Sequence, residues 1–535
     1  MPEAHRSPAR QIATSTGIVM AGILASRLLG FLREWAVAHT VGSNAATDAY
    51  YAAFTLPDFL NYLVAGGSLS LTFIPVLTKY LAEEREEEGW RVFSTVITFM
   101  GLLLVVLVVA GELYASRLVG LLAPGFAPAE RQQVVLLTRL MLPAQICFYL
   151  GGILMAVQYA RNQFVIPSLA SVVYNSAIIS AGLLLGPRLG PVGFALGVLA
   201  GALAGNFLLQ LYGARRAGAR YRPRLELAHP GFRLFLRLSV PIMLALSLSF
   251  TDDWILRWFG SYLPPASITW LSYAKTLMRV PLGFIGQAIG VAAFPVLTSL
   301  YASGRRAEAT RLLEQTLEAL LLLLVPIAAL GMAESRPLVR VVFARTRLGP
   351  ADFDQTAAAL VWFLVGLAGW GAQNLLARGF YAMRDTLTPA VVGTAFTVLN
   401  LPVYGLLVRR WGHQGLALAS SVGITAYALA LLVLLARRTQ VSLLGTLARL
   451  LLRLGLAAAL AAAAAHAVVR LLEPRLGATA PAALAELVAA TAAGTAVVLL
   501  AGRLLGLQAL EMALGELRRR VLSRLARSPA NGPAS

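Results

Sequence analysis

Runs of about 20 apolar residues recur along nearly the whole chain, separated by short stretches rich in arginine, glycine or proline. Each run is long enough to cross roughly 30 Å of hydrocarbon as a helix. Windowed hydropathy predicts about fourteen spans. Their limits are 16–40, 49–79, 92–115, 132–157, 164–186, 191–214, 232–258, 267–300, 310–333, 354–380, 388–410, 414–437, 446–471 and 482–506. The last two are alanine-rich, a composition that a soluble core helix also shows. The expected fold class is all-α: a polytopic membrane protein.

The pattern repeats. Pro75-Val76-Leu77-Thr78 returns as Pro295-Val296-Leu297-Thr298, and Tyr159-Ala160 with Pro167 returns as Tyr381-Ala382 with Pro389. Gly190, Gly193 and Ala195-Leu196 return as Gly412, Gly415 and Ala417-Leu418. A shared offset of about 220 residues predicts an internal duplication. Six spans per copy is an even number, so the copies have one orientation, as in parallel-repeat transporters whose site lies near mid-bilayer where the lobes meet. The expected organisation is an N-terminal segment 1–15, a first lobe 16–215, a basic linker 216–231 and a second lobe 232–438. Two added helices over 446–506 and a basic tail 507–535 follow.

Breaks fall at matching places. Gly66-Gly67 interrupts span two between Pro57 and Pro75, and span eight carries Pro281, Gly283, Gly286, Gly290 and Pro295. Such residues bend helices and often mark a transport site, although membrane helices also tolerate them without function. Gly193, Gly197, Gly201 and Gly205 form a ridge at four-residue spacing that close helix packing explains fully.

Composition narrows the class. Of 535 residues 58% are hydrophobic and 13% charged, and mean hydropathy is +0.72, far from a soluble domain. The net charge of +20 comes mostly from residues between the apolar runs, so it reads as membrane orientation rather than nucleic-acid binding. With the N-terminus inside, about 28 Lys/Arg collect on that side against about 12 outside, and both termini are then cytoplasmic. The tail from Leu507 to Arg527 is basic and partly amphipathic, which suits either a helix on anionic lipid or a solvated tail. Nothing at Met1–Gln11 resembles a cleavable signal peptide, and the single Cys147 excludes an intramolecular disulfide.

Against this background the ionisable residues inside spans stand out. Arg27, Arg33 and Glu34 interrupt span one, and a cation near the bilayer centre costs roughly 2.5–3.5 kcal/mol on insertion scales. Such residues usually face a cavity, and guanidinium groups in a cavity suit phosphate or carboxylate. Adjacent residues point apart on a helix, so Arg33 is not expected to pair with Glu34. Asp48, at the outer end of span two, could pair with either arginine or cap that helix. Asp58, Asn61, Asp252, Asp253 and Arg257 lie in or beside spans, with Lys275 and Arg279 one turn apart on span eight. One inward carboxylate near Arg257 would form an ion pair, and Arg279 could instead snorkel to a headgroup. His5, His39, His229, His413 and His466 lack metal-ligand spacing, and no Walker, GxSxG or kinase motif appears. No enzyme is expected.

Several blocks resemble a known family: Ser26-Arg27-Leu28-Leu29-Gly30-Phe31-Leu32-Arg33-Glu34, Ala46-Thr47-Asp48-Ala49-Tyr50 and Leu56-Pro57-Asp58. Others are Phe73-Ile74-Pro75, Ala123-Pro124-Gly125-Phe126, Trp270-Leu271-Ser272-Tyr273-Ala274, Phe380 to Pro389 and Gly412 to Ser421. Together they resemble the MurJ/MviN family, lipid II flippases of the multidrug/oligosaccharidyl-lipid/polysaccharide exporter superfamily. The resemblance implies fourteen spans, two six-helix lobes plus two extra helices, and cavity arginines Arg27 and Arg33 on a lipid-linked diphosphate with Asp48 beside the cavity. Glu34 stands where the family usually has aspartate. Asn61-Tyr62 and Lys275-Thr276 replace stretches that usually carry arginine, leaving Lys275 and Arg279 as the nearby cations. Some members bind sodium; Asp253, Asn400, Leu416 and Ser420 keep possible oxygen ligands, while Tyr404 replaces a carboxylate or amide.

The expectation is an inner-membrane flippase that moves lipid II, or a related undecaprenyl-diphosphate lipid, by alternating access. Arg27, Arg33, Glu34, Asp48, Asn61, Lys275 and Arg279 would form its substrate site. Membrane lipids and cell-wall synthesis proteins are the other expected partners. The rivals are an exporter of another lipid-linked glycan or small molecule, and a non-transporting cell-wall scaffold.

Overall fold

The computed structural model describes residues 8–61, 68–249, 251–439, 443–477 and 479–506. Among them every regular element is a helix. The tail after 506 and the Gly66-Gly67 break lie outside the described residues.

The chain divides into two compact units, 1–273 with 345–352, and 274–344 with 353–535. The first unit contains α1 (Pro8–Thr40), α2 (Ala45–Ala53), α3 (Thr55–Leu60), α4 (Ser68–Ala82), α5 (Glu86–Leu122), α6 (Pro128–Met141), α7 (Ala144–Ala160) and α8 (Val165–Leu189). It continues with α9 (Pro191–Gly201), a π-helical stretch Ala202–Leu208, α10 (Leu209–Arg216), α11 (Pro230–Ser249), α12 (Thr251–Gly260) and the start of α13 (Ser267–Pro281). Its core sits where α4, α5, α7 and α11 meet. Phe73 packs its ring 6.1 Å from Phe93 and 6.2 Å from Phe235, and the fully buried Tyr149 donates to the Val96 carbonyl at 3.1 Å. Between helices in a bilayer such close packing, more than exclusion of water, supplies the attraction.

The second unit continues from α13 through a π-helical stretch Leu282–Gly286 into α14 (Gln287–Ala302), α15 (Arg306–Ala333) and α16 (Ser335–Val342). It ends with α17 (Pro350–Val365), α18 (Leu367–Ala382), α19 (Leu387–Thr439), α20 (Leu443–Leu476) and α21 (Ala480–Leu504). Here α15 packs on α18 and α20, and α20 pairs with α21. Gly371 admits Leu324, and Gly494 admits Leu330. The arginines of α16 are paired: Arg336 holds Asp354 at 2.6 Å, and Arg340 holds Glu473 at 3.0 Å.

Among the described residues eight helices are long and apolar enough to cross a membrane, and α17–α18, bent by 42°, makes a ninth. Expected spans eleven and twelve share α19, broken at Gly412. The expected spans without such a helix are the first, second, seventh and eighth, which carry the candidate charges; parts of the second and seventh fall outside the described residues.

The duplication shows in the backbone. Left-handed residues recur at the repeat offset: Glu84 (φ 57°) with Gly304 (φ 75°), Asn162 (φ 56°) with Arg384 (φ 62°), and Gly190 (φ 57°) with Gly412 (φ 55°). Such conformations cost a side chain about 1–2 kcal/mol, so three matched pairs mark matched turns. Arg85 and Arg305, each just ahead of a helix, reach the acid three residues on, Glu88 at 2.6 Å and Glu308 at 2.5 Å.

The glycine ridge packs as expected. A Cβ on Gly197 would lie 2.8 Å from Ile178 Cα, and one on Gly201 or Gly205 would lie 2.7 Å from the Tyr174 or Ala170 carbonyl oxygen. Gly201→Ala should therefore lower stability by about 1–3 kcal/mol in a detergent unfolding titration. Gly455→Ala, where a Cβ meets nothing within 4 Å, should not; equal stability of the two variants would contradict this packing.

Candidate functional site

Polar side chains gather on the first unit's α1, α3, α8 and α12. The structure corrects one expectation. Arg33 does pair with Glu34, its neighbour in sequence, with Nη2 2.9 Å and Nε 3.3 Å from the same carboxylate oxygen. Backbone vectors diverge between adjacent residues, but a guanidinium on three methylenes can swing back alongside a glutamate. Glu34 is buried, and its second oxygen accepts from the Tyr51 hydroxyl. Arg33 also reaches Asn175 Oδ1 at 3.5 Å. Its side chain nevertheless keeps 28% exposure.

A cavity of about 170 Å³ lies nearby, lined by Asp58, Asn61, Gln145 and Tyr174 among apolar residues. The Asn61 amide donates to Gln145 Oε1 at 3.1 Å. Arg257 on α12 binds Asp58 at 3.0 Å and Thr55 Oγ1 at 3.4 Å, so the expected ion pair of Arg257 is made with span two. Two guanidinium–carboxylate pairs thus neutralise this wall, because an unpaired charge there would bear the full desolvation penalty.

Asp48 takes the capping role, on a distant helix. Its Oδ1 accepts from the Thr269 backbone N–H at 2.8 Å and the Thr269 hydroxyl at 2.5 Å, in the first turn of α13. An acid there satisfies an orphan donor and opposes the helix dipole. Around it, Trp270 donates to Asp352 at 2.9 Å and Tyr273 to the Gly42 carbonyl at 3.3 Å. Segment 345–352 is tied to α1, with Arg347 N–H donating to the Ala38 carbonyl at 3.1 Å.

Arg27 is exposed, and among the described residues no hydrogen bond or ion pair holds its side chain. Lys275, in the second unit, is buried with its ammonium 5.9 Å from the Phe363 ring centre and 5.6 Å from that of Trp370. Arg279, one turn on, is exposed.

Of the expected sodium ligands, Asn400, Leu416 and Ser420 are buried together on the two halves of α19, with Asn400 donating to the Ala419 carbonyl at 2.9 Å. Asp253 belongs to the first unit. The second unit's three are neutral oxygens in tight packing, for a Cβ on Gly423 would overlap the Asn400 amide. They do not by themselves fit a cation that must be stripped of water.

A family model, lipid II flippase MurJ, matches residues 37–480. The chain belongs to this family. A probable lipid II flippase MurJ of Vibrio cholerae serotype O1 is 28% identical over 425 residues, 77% of this chain and 81% of that protein. The lipid II flippase MurJ of Burkholderia cenocepacia is 29% identical over 423 residues, covering 78% and 82%. A solved structure of lipid II flippase MurJ in an inward closed conformation matches with a TM-score of 0.75 at 20% identity, over 91% of this chain and 98% of that one. An inward-facing MATE-family multidrug resistance transporter matches at 0.62 and 14%, over 79% and 98%. At these identities the two structures show a shared fold.

Within this MurJ-family chain, sequence reasoning missed Tyr51, Gln145, Asn175 and Thr269. Gln145 and Asn175 carried a signal, since each is an amide in the middle of an apolar span. Tyr51 and Thr269 carried none; only tertiary structure brings them to Glu34 and Asp48. Asp48→Ala should cost about 1–2 kcal/mol of stability. Thr269→Val should cost part of that, and a double-mutant cycle should show coupling; strict additivity would remove the cap assignment.

Proposed function

We propose that this protein flips lipid II, or a closely related polyprenyl-diphosphate-linked glycan, across the bacterial cytoplasmic membrane by alternating access. The observation that carries the reading is the pair of arginines on α1: Arg27 exposed and unengaged among the described residues, Arg33 paired with Glu34 while its side chain keeps partial exposure. A diphosphate offers Arg27 a full partner and offers Arg33 oxygens geometrically like those of Glu34, so cargo can share or exchange the guanidinium at little cost. Asn61 and Asn175 supply neutral polar contacts near Arg33, and Asp48 holds the start of α13. Arg279, exposed on α13, is the proposed further cation; buried Lys275 acts from its aromatic seat.

The basic loops support a topology with both termini in the cytoplasm. Each negative charge moved outward across 100 mV gains about 2.3 kcal/mol, so an inside-negative potential can drive the cycle without nucleotide. No step is routed through sodium; its binding would require Asp253 to supply the carboxylate that the neutral trio on α19 lacks.

In proteoliposomes carrying labelled lipid II, Arg27→Ala should lower flipping about tenfold or more with unchanged protein in the membrane. Arg33→Ala, which leaves Glu34 without its cation, should lower flipping as much per molecule of folded protein. Wild-type rates in both variants would refute the site. An imposed potential should change the rate, and a sodium gradient should matter only if Asp253→Asn abolishes that dependence.

A further inference from the structure

The duplication exposes a second basic site, far in sequence from Arg27 and Arg33. In the first unit, Glu86 opens α5 and forms an ion pair with Arg161 at the end of α7, while the buried Trp90 donates its indole N–H to Glu86 at 3.2 Å. An ion pair and an indole hydrogen bond thus meet at that junction. The matching positions of the second unit, given the offsets of 220 and 222, are Arg306, Met383 and Thr310. The acid has become a base, the base a thioether, and the indole a small hydroxyl side chain.

At that junction a cavity of about 950 Å³ opens, lined by Thr298, Tyr301, Arg306, Thr310, Arg384 and Arg438 among others. Arg438 is already engaged, with Asp385 and with Thr388 Oγ1 at 3.0 Å, and it lies over the Phe380 ring. Burial pushes the Asp385 carboxyl up, but hydrogen bonds from Thr388 and Arg438 hold it below the usual carboxylate range. Arg306 and Arg384 are exposed, and among the described residues neither has a carboxylate partner. Arg384 is moreover held with φ at 62°. The cavity opens at the ends of two helices long enough to span a membrane, α15 and α19, which places it at headgroup depth. Like-charged groups around a cavity repel one another unless an anion sits between them.

We infer that this pocket binds a phosphate-bearing anion through Arg306 and Arg384. Guanidinium groups take phosphate oxygens bidentately, and basic pockets at the ends of membrane helices hold anionic headgroups. The phosphate can come from an anionic lipid or from a free cytosolic anion.

The test uses the purified full-length protein. Native mass spectrometry after incubation with phosphatidylglycerol or phosphatidylethanolamine counts retained lipid, and a thermal-shift series with inorganic phosphate reads the free anion. Arg306→Glu combined with Met383→Arg recreates the first unit's ion pair; Arg306→Ala with Arg384→Ala removes the charges without adding an acid. Arg306→Ala with Arg384→Ala should weaken retention about fivefold for each cation lost. Arg306→Glu with Met383→Arg, which ties the new arginine to the new acid and leaves Arg384 alone, should weaken it about fivefold. Arg305→Ala, outside the pocket, should behave as wild type. Phosphatidylglycerol retention without a phosphate shift identifies the lipid, and a phosphate shift lost in both double variants identifies the free anion. If wild type and double variants retain equal phosphatidylglycerol and shift equally with phosphate, the inference is overturned, whatever the flipping activity.

Discussion

Charge inside a low-dielectric bundle must be compensated where it sits, and the first unit is arranged around that constraint. Glu34 divides its two oxygens between Arg33 and Tyr51, and Asp58 answers Arg257. Neither pair can lose one member cheaply, because the survivor would be a buried and uncompensated ion. Arg33 is thus not a bare cation waiting in hydrocarbon. It is one half of a pair with Glu34, which the proposed cargo would share. Such an arrangement keeps the empty protein stable, and it limits the affinity that any anion can show to the difference between two similar partners.

The same constraint divides the helices. Some spans are long and apolar with few charges, among them α5, α8, α15, α20 and α21. Among the described residues the first, second, seventh and eighth spans, which carry the ions and the breaks, show no helix of that kind. These are the first two members of each repeat.

Much of this was legible in the chain because its cause is local. Hydropathy needs no partner, and the ridge from Gly193 to Gly205 shows its helix-facing side in the spacing alone. The repeat was legible at three short strings, and the left-handed turns at Asn162 and Arg384 fall within or beside one of them. What escaped has non-local causes. The union of Arg33 with Glu34 depends on side-chain reach rather than on helical phase. Asp48 finds its donor 221 residues away, at the head of α13. The sodium ligands could be named one by one, but not how α19 packs them, with the Asn400 amide turned to a carbonyl and wedged against Gly423.

Gly190 and Gly412 reverse the chain with almost no connecting polypeptide, for α8 runs to Leu189 and α9 begins at Pro191. Gly193 and Gly415 then let the descending helix lie against the ascending one, at Leu185 and Leu407. A hairpin closed this tightly has no slack to lengthen. Inserted tags or loops have no place to go there, and an antibody or protease arriving from that side meets two blunt tips. Each helical pair must therefore travel as one stiff lever whenever the protein changes shape.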